Sequence, residues 1–378
     1  MKLLHLSDLH IGKRVNEYSM LKDQRHILEQ ILNIADEEEP DAVLIAGDVY
    51  DKSMPGGDAV LLFDWFLTGL SDRKIPVLLI SGNHDSPERL SFARKLLWES
   101  RIHISEVYKG KVEKITKKDE YGEVYFHLIP YLKPSAVRQY FPEEEITDYE
   151  SAMEVVLKNL DLNPAKRNVL LVHQFLTGAD RSDSEEISVG GLDDISAGLF
   201  DGADYVALGH LHRPQKVLRE TMRYAGSPLK YSFSEADHKK SVTLVELKEK
   251  GKVIVKTRDL VPLRDMRKIK GSYLELTQKE NYENTNVEDY LSITLTDEEE
   301  IPAVLGKLSA IYPNIMKLEY DNKRSRAMGI DHVERRVEQK SPLALFSEFY
   351  EMQNNSQLSE EQKDYLLELM EDIWEDVQ

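Results

Sequence analysis

Each of five short apolar runs in the first 210 residues stops at a histidine, an aspartate or an asparagine. KLLHL (2–6) leads into Asp8 and His10. AVLIAG (42–47) leads into Asp48, and PVLLIS (76–81) leads into Asn83, His84 and Asp85. NVLLV (168–172) is followed by His173, and YVALG (205–209) by His210 and His212. Continuous apolar runs of this length suit strands buried on both faces. Between the first two, Ile27, Leu28, Ile31, Leu32 and Ile34 recur at helical spacing and stop before Pro40. The pattern is α/β. Further β runs, VYFHLI (124–129), SVTLVEL (241–247) and KVIVK (252–256), extend it to a two-sheet core flanked by helices.

In an open α/β sheet, the loops at the carboxyl ends of the strands gather at one edge, where ligands bind. Asp8, His10, Asp48, Asn83, His173, His210 and His212 are therefore expected to converge. Any one of them alone is explained as well by a surface turn or a hydrogen-bonded core histidine. Their shared position at strand ends is not. Residues i and i+2 of an extended segment point the same way, so Asp8 with His10, and His210 with His212, can each approach one site together. Seven oxygen and imidazole donors are too many for one cation that keeps room for a substrate, and they suit two cations sharing a carboxylate. The ligand types point to Mn²⁺, Fe²⁺ or Zn²⁺ without choosing among them. A pair of cations about 3.5–4 Å apart is a phosphoryl-transfer device. His84, beside Asp85, has the chemistry to protonate a leaving oxygen or steady a phosphate. His5, His26, His103, His127, His238 and His332 lack the strand-end setting and are expected in the core or on the surface.

The chain has 378 residues, too many for one ordinary core, and the pattern changes near residue 265. SYLELT (272–277), LSITLT (291–296), a helix from Glu299 to Ile311 and IMKLEY (315–320) predict a small ββαβ unit. The expected boundaries are 1–265, 266–325, a charged linker at 326–342, and two amphipathic helices in 343–378. Ser359 and Gln362 carry a capping-box signature. Leu366, Leu367, Met370, Ile373, Trp374 and Val377 then form a helical stripe. The candidate helix 58–70 is apolar almost all round and needs a second face to bury, inside the chain or against another copy. There is no cysteine, which excludes disulfides and thiolate metal sites and fits a reducing, cytoplasmic setting. No apolar run reaches 18 residues, so no spanning helix is expected. MKLLHLSDLHIG lacks the features of a signal peptide. The net charge of −19 is unfavourable for nucleic acid, but 13 acidic and 4 basic residues lie in 331–378, and bound cations reverse the sign locally at carboxylates. There is no G-x-x-x-x-G-K-[ST], so this chain is expected to hold no ATP site.

The motifs D-x-H (Asp8, His10), G-D-x-x-D (Gly47, Asp48, Asp51), G-N-H-D (Gly82–Asp85), the lone His173 and G-H-x-H (Gly209–His212) resemble those of the binuclear metallophosphoesterases. VGGLDDI, DYVALGHLHRPQ and GSPLKYSFSEADHKKSVTLVEL resemble, more narrowly, the SbcD-type nuclease subunits. The resemblance implies a Mn²⁺-dependent DNA phosphodiesterase, exonucleolytic on double-stranded ends and endonucleolytic on single strands and hairpins, in DNA repair, recombination and replication. It implies that Asp8, His10, Asp48 and His212 hold one metal, and Asp48, Asn83, His173 and His210 the other. His84 would act on the phosphate or leaving group, oriented by Asp85. It implies a capping domain beside the DNA, a homodimer through helices near 58–70 and 88–98, and C-terminal helices that dock on an SbcC-type ATPase. Lys13, Arg14, Lys52, Arg89 and Arg213, next to the metal motifs, are candidate DNA contacts. The competing expectations are a small-molecule phosphoesterase or cyclic-nucleotide phosphodiesterase on the same core, and a non-catalytic binding subunit, which would have lost ligands.

Overall fold

The structure, a computed structural model, describes residues 1–160, 162–182, 185 and 194–323, with single positions between 343 and 369. The described residues fall into two compact units that part between Asp265 and Met266.

The first unit opens with β1 (Lys2–Leu6), a hairpin of β2 (Arg14–Val15) and β3 (Tyr18–Ser19), helix α1 (Leu21–Glu38), β4 (Ala42–Ala46), helix α2 (Gly57–Asp72), β5 (Val77–Ile80) and β6 (Ile102–Ile104). It continues with β7 (Glu113–Asp119), β8 (Gly122–Ile129), β9 (Arg167–His173), β10 (Tyr205–Gly209), β11 (Gln215–Val217) and β12 (Arg219–Tyr224), then returns through β13 (Ser241–Leu247) and β14 (Val253–Asp259). One six-stranded sheet has the order β14-β13-β1-β4-β5-β6 and the other β11-β12-β10-β9-β8-β7. β1, β4, β5 and β6 are parallel, as are β8, β9, β10 and β12. Parallel strands buried on both faces need continuous apolar sequence, and all residues of β4, β5, β9 and β10 are buried.

Leu3, Leu44, Leu78, Ile80, Phe126, Val169, Leu171 and Val245 fill the space between the sheets. The helix Tyr149–Lys158 covers the outer face of the second sheet, adding Met153, Val155 and Val156 to a core with Leu170, Val206 and Leu208. Asp148 and Ser151 close its capping box. On the first sheet, α1 buries Ile27, Leu28, Ile31 and Leu32. Helix α2 buries Leu62, Phe63, Phe66 and Leu70, while Leu61 is 67% exposed.

The second unit is a three-stranded parallel sheet of β15 (Met266–Gly271), β16 (Tyr290–Leu295) and β17 (Ile315–Tyr320). Its first strand lies earlier than the sequence pattern placed it. Residues Tyr273–Thr277 form a short helix, because Ser272 and Glu275 make a capping box at its start. The helix expected over 299–311 is confined to Val304–Ser309. Leu291, Ile293, Leu295, Val304, Leu308 and Tyr312 make this unit's own core. Much of 326–378, including the linker, lies outside the described residues. Where it is described, Gln362 and Ser359 bond reciprocally, as a capping box requires.

Candidate metal centre

The carboxyl ends of β1, β4, β5, β9 and β10 deliver the seven donors to one buried pocket. On one side, His10 Nε2 lies 3.0 Å from His212 Nε2 and 3.6 Å from Asp48 Oδ2. Asp8, His10 and His212 place ligand atoms within 4.8 Å of one another. On the other side, Asn83 Oδ1 lies 3.0 Å from His173 Nε2 and 3.1 Å from His210 Nδ1. His173 Nε2 is 3.3 Å from Asp48 Oδ2. The Asp48 carboxylate thus faces both groups.

The backbone reaches this arrangement under local strain. Asp8, His10, Asp48 and His210 have φ of 52°, 43°, 49° and 111°, conformations that non-glycine residues avoid and that cluster at functional sites. Hydrogen bonds hold them there. The Asp8 amide donates to the Gly47 carbonyl and the His10 amide to the Asp48 carbonyl, while the His210 amide donates to Asp8 Oδ1 at 2.9 Å. Two glycines permit the close approach of the loops. A Cβ on Gly82 would stand 2.1 Å from Asp48 Oδ1, and one on Gly209 1.8 Å from the Ala46 carbonyl oxygen.

The donor set fits cations. Asp8 Oδ2 is buried with no hydrogen-bond partner among the described residues. Two imidazole nitrogens facing at 3.0 Å need a proton or a cation between them. Burial pushes His10 well below the usual imidazole range and His210 down to about 3, which keeps both neutral, the metal-ligating form. Burial would also raise Asp48, but His173 and His84 outweigh it and hold the carboxyl well below its usual range. Burial would lower His173, but the Asp48 carboxylate outweighs it and lifts the imidazole to about 9. Burial raises Asp8 to about 6. Displacing these protons by cations is the usual coupling between metal and pH.

Partners behind the donors orient them. His173 Nδ1 donates to the Ala46 carbonyl at 2.8 Å, turning Nε2 to the pocket. Gln24 donates to the His10 carbonyl at 2.7 Å and to Tyr231 Oη at 3.1 Å. Asp51 lies 3.7 Å from His10 Nδ1 and accepts from Lys13 Nζ at 2.6 Å. Glu235 Oε1 lies 3.4 Å from His212 Nδ1. Burial would lower His212, and the bond to Glu235 outweighs it. Gln24, Glu185, Tyr231, Glu235 and Lys240 were not singled out from the sequence. Tyr231, Glu235 and Lys240 do stand in the GSPLKYSFSEADHKKS block, where Lys230, Asp237 and Lys239 are charged as well.

His84 sits at the pocket with its side chain 17% exposed and Nε2 4.0 Å from Asp48 Oδ2. Asp85, expected to orient it, makes no hydrogen bond to the His84 ring among the described residues. Asp85 accepts the backbone amides of Val49, Tyr50 and Gly82 at 3.1, 2.9 and 3.0 Å. Three amides converge on that carboxylate, so it ties two loops together. His84 is oriented instead by its Nδ1, 3.1 Å from the Asp51 carbonyl oxygen. Of the basic residues, Lys13 is engaged by Asp51, Arg213 pairs with Asp180 at 2.7 Å, and Arg14 donates to the Glu17 carbonyl. Lys52 and Arg89 are exposed. Leu366 and Leu367 are partly exposed, while Met370, Ile373, Trp374 and Val377 lie outside the described residues. His5 and His127 are buried against Tyr205 and Asn168; His26 bonds Gln30 and His103 meets the Trp98 ring edge-on.

Residues 1–214 match the family described as calcineurin-like phosphoesterase. Together with the two-sheet fold and the pocket at its strand ends, this match shows that the chain belongs to the calcineurin-like phosphoesterases. Within them it falls in the SbcD family: it is 32% identical over 377 residues to the D subunit of the SbcCD nuclease from Staphylococcus epidermidis, covering 98% of each chain. Residues 262–354 match a family described as Type 5 capsule protein repressor C-terminal domain. Among solved structures, a dimetal phosphatase from Danio rerio aligns with a TM-score of 0.43 and 11% identity, over 69% of this chain and 96% of its own. The protein TT1561 of Thermus thermophilus aligns with a TM-score of 0.39 and 14% identity, over 68% of this chain and 98% of its own.

Proposed function

We propose that this chain is a metal-dependent DNA nuclease that hydrolyses phosphodiester bonds at the pocket around Asp48. The observation that carries the proposal is the convergence of Asp8, His10, Asp48, Asn83, His173, His210 and His212, in a chain similar along its length to an SbcCD nuclease subunit. Asp8, His10, Asp48 and His212 would hold one cation, and Asp48, Asn83, His173 and His210 the other. Mn²⁺ suits this mixture of carboxylate, amide and imidazole, with Fe²⁺ or Zn²⁺ as alternatives. When bound, the pair supplies Lewis-acid activation of the phosphate and of the attacking water.

The chain's own residues do the rest. His84 donates its Nδ1 proton to the Asp51 carbonyl, so Nε2 is the atom that exchanges a proton. As an imidazolium it steadies the phosphate charge and protonates the departing oxygen. The three amides on Asp85 hold the Asp48 and Asn83 loops in register, keeping the donors at fixed spacing. Lys52 and Arg89, exposed near the pocket motifs, are available to backbone phosphates, as are Lys13, Arg14 and Arg213 once their present partners give way.

The second unit would act as the capping domain, and the C-terminal segment would dock on an SbcC-type ATPase. The exposed Val60 and Leu61 on α2, with Phe92, Leu96 and Trp98 following β5, support a homodimer through these segments. Among the described residues no helix is long and apolar enough to cross a membrane. The likeness to an SbcCD nuclease subunit supports a cytoplasmic role in DNA repair, recombination and replication. The test is hydrolysis by the purified chain with Mn²⁺, offered labelled duplex ends, a single-stranded hairpin and a small phosphate ester. Cleavage of both DNAs is expected. Turnover of the ester alone would favour a small-molecule or cyclic-nucleotide phosphodiesterase.

A further inference from the structure

Glu235 is fully buried, and it belongs to a loop with no strand or long helix to place it. Its Oε2 pairs with Lys240 Nζ, whose side chain is 4% exposed. Removing two charges from water carries a desolvation penalty of several kcal/mol per ion, so such a pair is a weak stabilising device compared with apolar packing. The surroundings suggest another use. Three buried charged groups all address one residue, His212. Glu185 Oε1 accepts its amide proton at 2.6 Å. Lys240 Nζ donates to its carbonyl oxygen at 2.7 Å. Glu235 Oε1 stands 3.4 Å from its Nδ1. Backbone N–H, backbone C=O and Nδ1 are thereby committed, and Nε2 is left facing His10 Nε2.

The other imidazoles are treated differently. His173 gives its Nδ1 proton to a neutral backbone carbonyl, and His210 turns its Nδ1 toward Asn83. The Asp51 carboxylate stays 3.7 Å from His10 Nδ1, beyond hydrogen-bond reach. Among the described residues, His212 is the candidate ligand whose Nδ1 has a carboxylate within hydrogen-bond distance behind it. Ser227 and the Tyr231 amide complete the setting: Lys240 Nζ donates to Ser227 Oγ at 2.8 Å, and the Tyr231 amide donates to Glu235 Oε1 at 3.2 Å.

We propose that Glu235 is a positioning residue for one half of the metal centre, holding His212 in its Nδ1–H form so that a basic Nε2 is presented to the cation shared with Asp8, His10 and Asp48. This rests on the metal assignment proposed above. A carboxylate behind a histidine ligand fixes its tautomer and raises its basicity. The two halves of the centre are then unequal: one leans on Glu235 and the other does not.

Binding of Mn²⁺ to the full chain, followed by calorimetry and by electron paramagnetic resonance, tests this. Wild type should take up two ions and give a spin-coupled signal. Glu235→Gln, of the same shape without the charge, should bind one ion as wild type does and the other about 10- to 100-fold more weakly, so that an isolated Mn²⁺ spectrum replaces the coupled one. Glu235→Gln leaves Lys240 without its buried carboxylate partner, so the paired variant Glu235→Gln/Lys240→Gln, which removes both charges of that ion pair, should be measured beside it with the same expectation. A folded variant that binds both ions with wild-type affinity overturns the proposal. So does an equal loss at both ions, the mark of a merely structural role. If wild type itself binds no pair, the metal assignment fails first; if wild type binds two and the variants match it, only the role of Glu235 fails.

Discussion

Replacing Gly209 by alanine probes the contact that brings the two sheets together behind the metal centre. The new Cβ would stand 1.8 Å from the Ala46 carbonyl oxygen and 2.8 Å from His173 Nδ1, whereas real Cβ atoms essentially never approach within 3.0 Å. The ends of β10 and β4 would therefore have to part by about 1.2 Å, the gap between the 1.8 Å contact with the Ala46 oxygen and the 3.0 Å limit. Neither side yields cheaply, because the obstructing atom is backbone in a fully buried strand. The same Ala46 oxygen receives the His173 proton, so the shift separates His173 from Asp48, now 3.3 Å apart. Overpacking of this kind lowers stability by about 1–3 kcal/mol, and a misplacement of about 1 Å in a catalytic constellation lowers turnover by about 100-fold. Urea unfolding and Mn²⁺-dependent hydrolysis of a phosphodiester read out both. Gly57→Ala is the control: a Cβ there meets nothing within 4 Å, and its unfolding free energy should stay within about 0.5 kcal/mol of wild type. A Gly209→Ala protein with wild-type midpoint and turnover would refute the close approach of the two strand ends.

Other outcomes follow from the same geometry. His84→Ala should keep its metal content and lose about 100- to 10,000-fold in DNA cleavage, with a smaller loss on an ester whose leaving group needs no proton; unchanged DNA cleavage would remove His84 from the chemistry. Asp119 is held below the usual carboxyl range by hydrogen bonds from Arg167 and by the N-terminal ammonium, against the effect of burial. Its contribution is present above the unfolded carboxyl value near 3.9 and is lost as pH falls toward the folded one. Asp119→Asn should therefore lower stability by about 2 kcal/mol at pH 7 and flatten the loss below about pH 4, measured by urea titration across pH. Leu61→Asp should shift a dimer to monomer in analytical ultracentrifugation without altering the melting temperature of the monomer; an unchanged dimer would place the interface elsewhere.

The strands that carry the site were readable because parallel strands buried on both faces leave an apolar run with a sharp polar end. Asp8, Asp48, Asn83, His173 and His210 all stand just past such ends. The supporting residues left no such mark. Glu235 and Glu185 act from loops, where no period separates a buried carboxylate from a solvated one. Asp85 was readable as a member of the site but not in its role, since three backbone amides choose its direction and backbone direction is set by tertiary contacts. Tyr273–Thr277 looked extended because Tyr273 and Thr277 are residues that favour strands, and the cap formed by Ser272 and Glu275 decided otherwise. On α2, the run Val60–Phe63 hid which two positions face solvent: Leu62 and Phe63 are buried, Val60 and Leu61 are not.

The most direct test is anomalous scattering from a crystal of the full chain grown with Mn²⁺. Two peaks are expected, one among Asp8, His10 and His212 and the other among Asn83, His173 and His210, with the Asp48 carboxylate touching both. A single peak, or none with these side chains still gathered as described, would contradict a two-cation centre.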